Sequence, residues 1–399
     1  MHKGANSLNG IFWSNQSNKE QKEYIYLLKI MGSLSNLFSE SNSPYLYYRG
    51  HENLFCEAFN AKNLSRGDIS YDAIKGNIGI GLKTFLNNNG LTFQKVAEFN
   101  NESDIIRGLE NEYDVVHKIA SLRNKRIKTT QNITDTSESM YHLVTREPGK
   151  MNIIETPMHL IDIDSIKLNK YQSKNTIKFS DKFNDYSFSL SKNTLLQRFD
   201  TRDENILTQF SVEMLENPFK LLKSLHKDVL HSDTEQPEEE NYIILPLYSV
   251  RDNNVPEKSG LNQWNAGGRK RHPNEVYIPI PSWIHDVFDD FFVYAKERKR
   301  RGESAKDSPS FNVELPNGNI MKCKVAQAGG KALMSDPNKE LGEWILRDVL
   351  NLPEKTLVTM EMLKEIGIDS IKITKKDDEN YLLDFVEVGT YHEFEESNK

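Results

Sequence analysis

The sequence predicts an α+β protein of two domains: an N-terminal α/β domain around a central sheet, and a C-terminal, mostly-β pseudobarrel. Three observations predict it. The chain has 399 residues, more than one hydrophobic core usually supports. Residues 232–241, SDTEQPEEEN, carry Asp233, Glu235, Glu238, Glu239 and Glu240 with Pro237 and no apolar side chain, so they read as a linker. Before that stretch helical and strand periods mix; after it short strands dominate. The expected division is 1–231, an acidic linker 232–241, and 242–399. A long acidic loop inside one domain is the alternative.

The elements follow in order. Tyr24, Leu27, Leu28, Ile30, Met31, Leu34 and Leu37 recur at helical spacing in 20–38, and 45–59 also reads as largely helical. Residues 67–85 change period and predict a hairpin turning at Lys75-Gly76-Asn77. The segments YHLVTRE, MNIIETPMHLIDID, TIKFSD and YSFSLS make 139–200 strand-rich, and 205–227 is expected to return to helix. Beyond the linker the strand candidates are YIILPLYS, EVYIPIP, FNVEL, IMKCKVAQ, SIKITKK and YLLDFVEV. Helical patterns interrupt them at 339–350 and 359–366. So many short strands in so little chain suggest a barrel or pseudobarrel rather than stacked βαβ units.

Composition narrows the function. No apolar run approaches the ~18 residues that cross a bilayer, and the N-terminus lacks the apolar core of a signal peptide. A cytoplasmic protein with no membrane partner is expected. Cys56 and Cys323, the only cysteines, are too few and too far apart for a zinc cluster and are expected to be buried thiols. The net charge of −7 does not advertise nucleic acid, but phosphate binding depends on local fields. No histidine begins the H-x-K of a phospholipase-D-type nuclease. His51-Glu52 has Phe55 where a zinc hydrolase needs histidine, and no phosphate-binding G-x-x-x-x-G-K-[ST] loop occurs.

The segment 63–85, NLSRGDISYDAIKGNIGIGLKTF, carries chemistry. Ile78, Ile80 and Leu82 alternate on one strand face; Gly79, Gly81 and Lys83 fall on the other. The hairpin can bring Asp72 close to Lys83. A carboxylate that holds a divalent metal beside a lysine that stabilises developing charge is what phosphodiester hydrolysis needs. An ordinary surface charge pair is the plain alternative, and Asp68 competes with Asp72.

This stretch resembles the PD-(D/E)xK nuclease core of restriction enzymes, with Tyr71-Asp72 followed by Gly81-Leu82-Lys83. Gly81 departs from the pattern, standing where the second acid is usual. Some members of that superfamily carry the missing carboxylate on a following helix, a place Glu98 could fill. Glu52, with Glu57 second, is the candidate for the glutamate from the preceding helix. The resemblance implies Mg²⁺ held by Asp72 and Glu98, Lys83 as the catalytic lysine and Glu52 assisting.

Residues 242–388 resemble the C-terminal domain of NgoFVII-family restriction endonucleases through VPEKSGLNQW, GGRKR, PNEVYIPIP, KVAQAGGKALMSDPNKELGEWILRDVLNLP and YLLDF. That resemblance implies the pseudobarrel of the plant B-three domain, which clamps the major groove with two arms. The first arm would offer Ser259, Asn262, Gln263, Asn265, Arg269, Lys270 and Arg271. The second would offer Lys331, Ser335 and Asn338. Lys299, in KERKRR, would add phosphate charge; solvated basic segments are the alternative for GGRKR and KERKRR. Trp264 and Trp283 read as packing residues. The near relatives in that family use a metal-free nuclease whose motif is missing here, so metal independence does not carry over.

The sequence thus predicts a type II restriction endonuclease acting on double-stranded DNA as a homodimer, with a methyltransferase protecting host DNA. The rivals are a non-catalytic DNA-binding protein and a nuclease specific for modified DNA.

Overall fold

The computed structural model describes residues 11–64, 69–170, 173–229, 241–292, 308–327 and 329–399. The chain is α+β and forms two compact units. The first comprises 1–66, 70–124 and 136–237; the second comprises 67–69, 125–135 and 238–399. The second unit therefore takes two segments from the N-terminal half. The acidic stretch 232–240 lies outside the described residues.

In the first unit, α1 (Ile11–Asn15), α2 (Asn18–Ser33) and α3 (Tyr48–Phe59) precede the sheets. Ser17 and Glu20 close a capping box that starts α2, with Ser17 N–H donating to Glu20 at 2.9 Å. The apolar period of α2 buries Tyr24, Leu28 and Gly32. The helix α3 ends at Asn60, which takes the left-handed conformation.

The first sheet has the order β1-β2-β3-β5-β6-β11: β1 (Lys62–Asn63), β2 (Ala73–Lys75), β3 (Ile78–Leu86), β5 (Glu138–Glu147), β6 (Lys150–Pro157) and β11 (Thr208–Ser211). The predicted hairpin is β2–β3, and Gly76 supplies the left-handed turn residue at φ +61. Ile80 and Leu82 point into the core with Phe55 and Phe59 of α3, as their alternation predicts.

The second sheet runs β4-β10-β9-β8-β7: β4 (Leu91–Glu98), β7 (Lys167–Leu168), β8 (Thr176–Ser180), β9 (Asp185–Ser189) and β10 (Thr194–Asp200). The helix α4 (Ser103–Arg107) leads to α5 (Glu112–Thr134). Val115, Val116, Ile119 and Ala120 of α5 share a core with Phe179, Phe188 and Leu195 of this sheet. The expected helix over 205–227 is only half right. Thr208–Ser211 pairs with β6 as an edge strand, and α6 (Pro218–Val229) begins after it. Tertiary pairing overrides the helical spacing there.

The second unit is one seven-stranded sheet in the order β12-β17-β18-β14-β15-β16-β13. Its strands are β12 (Tyr242–Pro246), β13 (Ile278–Pro279), β14 (Phe311–Glu314), β15 (Ile320–Ala326), β16 (Ala332–Ser335), β17 (Ile368–Lys375) and β18 (Asn380–Glu387). The end strands β12 and β13 also touch, so the sheet is a nearly closed barrel. Its helices are α7 (Ser282–Val287), α8 (Glu340–Gly342, continued as a π-helix to Val349), α9 (Met360–Ile366) and α10 (Thr390–Asn398). Ile243, Ile278, Val325, Leu333, Ile371 and Leu383 fill the barrel, together with Ile133 from the last turn of α5.

Candidate functional site

The β2–β3 hairpin brings Asp72 and the start of the Lys83 segment together. Asp72 N–H donates to Ile80 O at 2.9 Å, and Leu82 N–H donates to Asp72 Oδ2 at 2.7 Å. Ala73 pairs with Ile80, so Asp72 stands opposite Gly81. Burial pushes the Asp72 carboxyl above the usual aspartate range, against the pull of the Lys83 charge, the Leu82 hydrogen bond and Arg49. Glu52, on α3, is buried and pairs with Arg49 at 3.2 Å. Glu52 and Asp72 both act on the Cys56 thiol, which burial chiefly raises to about 12. Glu57 is exposed on α3.

The glycines around Lys83 have a packing reason. A Cβ on Gly79 would lie 2.1 Å from the Tyr71 ring, and one on Gly81 would lie 2.9 Å from both Met158 and Tyr141. An acid at 81 has no room unless those side chains move.

Glu98 is not on a helix. It ends β4, whose β-branched Thr92 and Val96 and aromatic Phe93 favour a strand paired with β10. Its carboxylate is held low by Lys95 at 2.9 Å, and Asn100 donates to it at 2.5 Å. Among the described residues no group of three His, Cys, Asp or Glu side chains gathers that could hold a metal ion. The structure therefore does not assemble Asp72 and Glu98 into one such group. Asp68 lies outside the described residues.

The fit to a divalent metal rests on donor chemistry. Mg²⁺ takes oxygen ligands, commonly one or two carboxylates completed by water or substrate phosphate. Asp72 spends Oδ2 on Leu82 and has no hydrogen bond to Oδ1 among the described residues. Asp72 thus offers one carboxylate oxygen of the kind Mg²⁺ takes.

A buried polar network escapes the sequence reading. His142 Nδ1 lies 3.0 Å from Glu155 Oε1, both fully buried on paired strands β5 and β6. Glu155 also accepts the Trp13 N–H of α1 at 3.1 Å. Tyr24 OH lies 2.7 Å from His51 Nε2, and the His51 and His142 rings are 6.4 Å apart. Their only sequence signal is polar residues set in apolar runs.

In the second unit, the first arm runs from Ser259 through a 3-10 segment, Gly260–Asn265, to the GGRKR turn. Asn262 is wholly buried: its Nδ2 donates to Pro256 O and Val358 O, and its Oδ1 accepts Val358 N–H at 2.9 Å. It holds the arm instead of offering an edge to a ligand. Ser335 is likewise buried, donating to Pro337 O and accepting Leu341 N–H at 2.8 Å. Asn265 donates to Glu257 O, and Arg271 donates to Ala266 O and Gly267 O. Arg269, Lys270 and Lys331 are exposed, Ser259 and Asn338 are half-buried, and Gln263 has a buried Oε1 without a hydrogen-bond partner among the described residues. Arg269 forms a two-bond pair with buried Glu275, a residue to which the sequence assigned no role. Trp283 packs in the core and donates to Tyr391. Lys299 and the rest of KERKRR lie outside the described residues.

The second unit is a nearly closed barrel carrying a glycine-rich basic arm. Residues 237–377 match the NgoFVII C-terminal B3-like DNA-binding domain. The match to this B3-like domain covers β12 through β17 and leaves the first unit outside it. A search among curated proteins returns no match. No helix among the described residues is long and apolar enough to cross a membrane.

Proposed function

We propose that this chain is a site-specific endodeoxyribonuclease of the restriction type, in which the second unit recognises duplex DNA and the first hydrolyses it. The observation that carries the reading is the B3-like match over 237–377, whose arm presents Arg269 and Lys270 to solvent. Such side chains read guanine edges or contact phosphate.

The cutting half rests on the Asp72–Lys83 hairpin. Asp72 and Glu52 would hold Mg²⁺, which supplies charge neutralisation at the phosphate and an activated water when bound. Lys83 places a cation beside the phosphate where negative charge develops. Leu82 N–H fixes one Asp72 oxygen and leaves the other available. Cutting both strands with one such centre per chain calls for a second copy, and a methyltransferase would protect host DNA.

Incubating supercoiled plasmid with the full chain, with Mg²⁺ or EDTA, tests this. Nicked and linear products that require Mg²⁺ support it. The crowding at Gly81 favours one rival, a DNA-binding protein whose nuclease centre has lost a ligand. Specific binding with no cleavage at any Mg²⁺ or Mn²⁺ concentration would establish that rival.

A further inference from the structure

The GGRKR arm folds back on one buried carboxylate. Glu275 has only 7% of its side chain exposed, whereas its partner Arg269 is 56% exposed. Arg269 Nη1 donates to Glu275 Oε2 at 3.0 Å and Nη2 donates to Oε1, an end-on pair. Arg271 approaches the same carboxylate, with Nε 3.6 Å from Oε1, and ties Ala266 O and Gly267 O with Nη1 at 2.7 and 2.8 Å. The return leg is anchored as well. Glu275 N–H donates to His272 O, and Arg347 grips Asn274 Oδ1 at 2.9 Å and Pro273 O at 3.1 Å. Gly342 of α8 packs so closely that a Cβ there would meet Asn274 O at 2.0 Å.

An exposed ion pair contributes little stability, so the burial of Glu275 has another consequence. An end-on pair occupies the Nη1–Nη2 edge of a guanidinium. The Nε–Nη2 edge remains as two parallel donors, the fork that matches O6 and N7 of guanine. Two arginines against one carboxylate also leave a net positive arm. We propose that Glu275 is a positioning residue for base recognition, which holds Arg269 so that its Nε–Nη2 edge is preset toward a guanine in the major groove. This rests on the DNA-recognition reading of the B3-like domain. Presetting lowers the rotamer entropy lost on binding, and that gain appears only where the fork meets the right base.

The test uses the full chain in metal-free buffer. Wild type first selects duplexes from a randomised pool, and affinities are then measured for the selected duplex, its single-base variants and a scrambled duplex. Glu275→Gln is expected to lower the selected-to-scrambled ratio by about tenfold or more. The loss should fall at the base pair where Arg269→Ala loses preference, and affinity for scrambled duplex should not fall. The double variant should be no worse than Arg269→Ala, because Glu275 acts through Arg269. Arg269→Lys, which keeps the positive charge beside Glu275 but removes the two-donor fork, should lose the same base preference while keeping the salt slope. The proposal is overturned by an unchanged ratio in Glu275→Gln, by equal losses on both duplexes, by additive losses in the double variant, or by full preference in Arg269→Lys. A wild-type chain that enriches no sequence overturns the DNA-recognition reading, and this proposal with it.

Discussion

The Asp72 carboxylate accepts the backbone N–H of Leu82 at 2.7 Å, one residue before Lys83. The bond fixes the acid relative to the strand that carries the lysine. The Lys83 ammonium, eleven residues on in sequence, thereby draws the Asp72 carboxyl down against the effect of its burial.

Lys83→Ala is expected to reduce cleavage by about 10²–10³-fold, the loss typical of removing one charge-stabilising donor. Specific binding should change little, because the charge serves the transition state more than the ground state. Single-turnover cleavage and equilibrium binding on the same duplex check this. A fall in binding equal to the fall in cleavage would reassign Lys83 to DNA affinity.

Asp72→Asn should abolish cleavage yet raise the melting temperature in metal-free buffer at neutral pH. The folded carboxyl titrates above its unfolded value because of burial. Its contribution to stability is therefore full below the unfolded value and is lost as pH rises through the folded one. The neutral amide removes that loss. Thermal melts at pH 7.5 decide it; a lower melting temperature in the variant counts against an ill-compensated buried charge.

The fold should weaken in mild acid through His51. Burial, with the His142 and Arg146 charges, pushes its pKa well below 6.5, and Tyr24 OH is its hydrogen-bond partner. The unfolded imidazole protonates near 6.5 while the folded one stays neutral. Stability is present above that value and is lost as pH falls below it, by up to about 1.4 kcal/mol per pH unit. Urea melts at pH 7.5 and 5.5 measure the slope, and His51→Gln should flatten it. Equal slopes in the two proteins would remove His51 as the cause.

Asn262→Ala should destabilise the second unit by more than 1 kcal/mol. It strands Val358 N–H and two carbonyls in the interior, and an unsatisfied buried group costs about 1–3 kcal/mol. Denaturant melts followed by tryptophan fluorescence report this. A variant of wild-type stability that alters base preference would return Asn262 to the readout set.

Much of the fold was legible because period and turn chemistry agree. Ile78, Ile80 and Leu82 alternate into the core, Gly76 turns the hairpin, and the helical spacing from Tyr24 onward falls on α2. What failed was set by distant partners. Thr208–Ser211 reads as helix but pairs with β6, and Glu98 falls on a strand because β10 offers an edge. The unit division also eludes a linear reading, since residues 125–135 belong with the second unit. There Ile133 joins the barrel core and Lys125 pairs with Glu365 at 2.5 Å. At the site, hydrogen-bonding residue types marked the arm correctly as polar. Composition could not tell Asn262, spent on the backbone, from Arg269, which faces solvent. Glu275 stayed hidden because a lone acid ahead of an apolar run carries no periodic signal.

The central claim is that one chain both reads and cuts DNA. Its most direct test is digestion of a sequenced phage DNA with Mg²⁺, followed by mapping of every end. The account predicts ends at fixed offsets from one recurring sequence, lost in EDTA and in Lys83→Ala. Ends scattered without a common sequence, or full cleavage in EDTA, would contradict it.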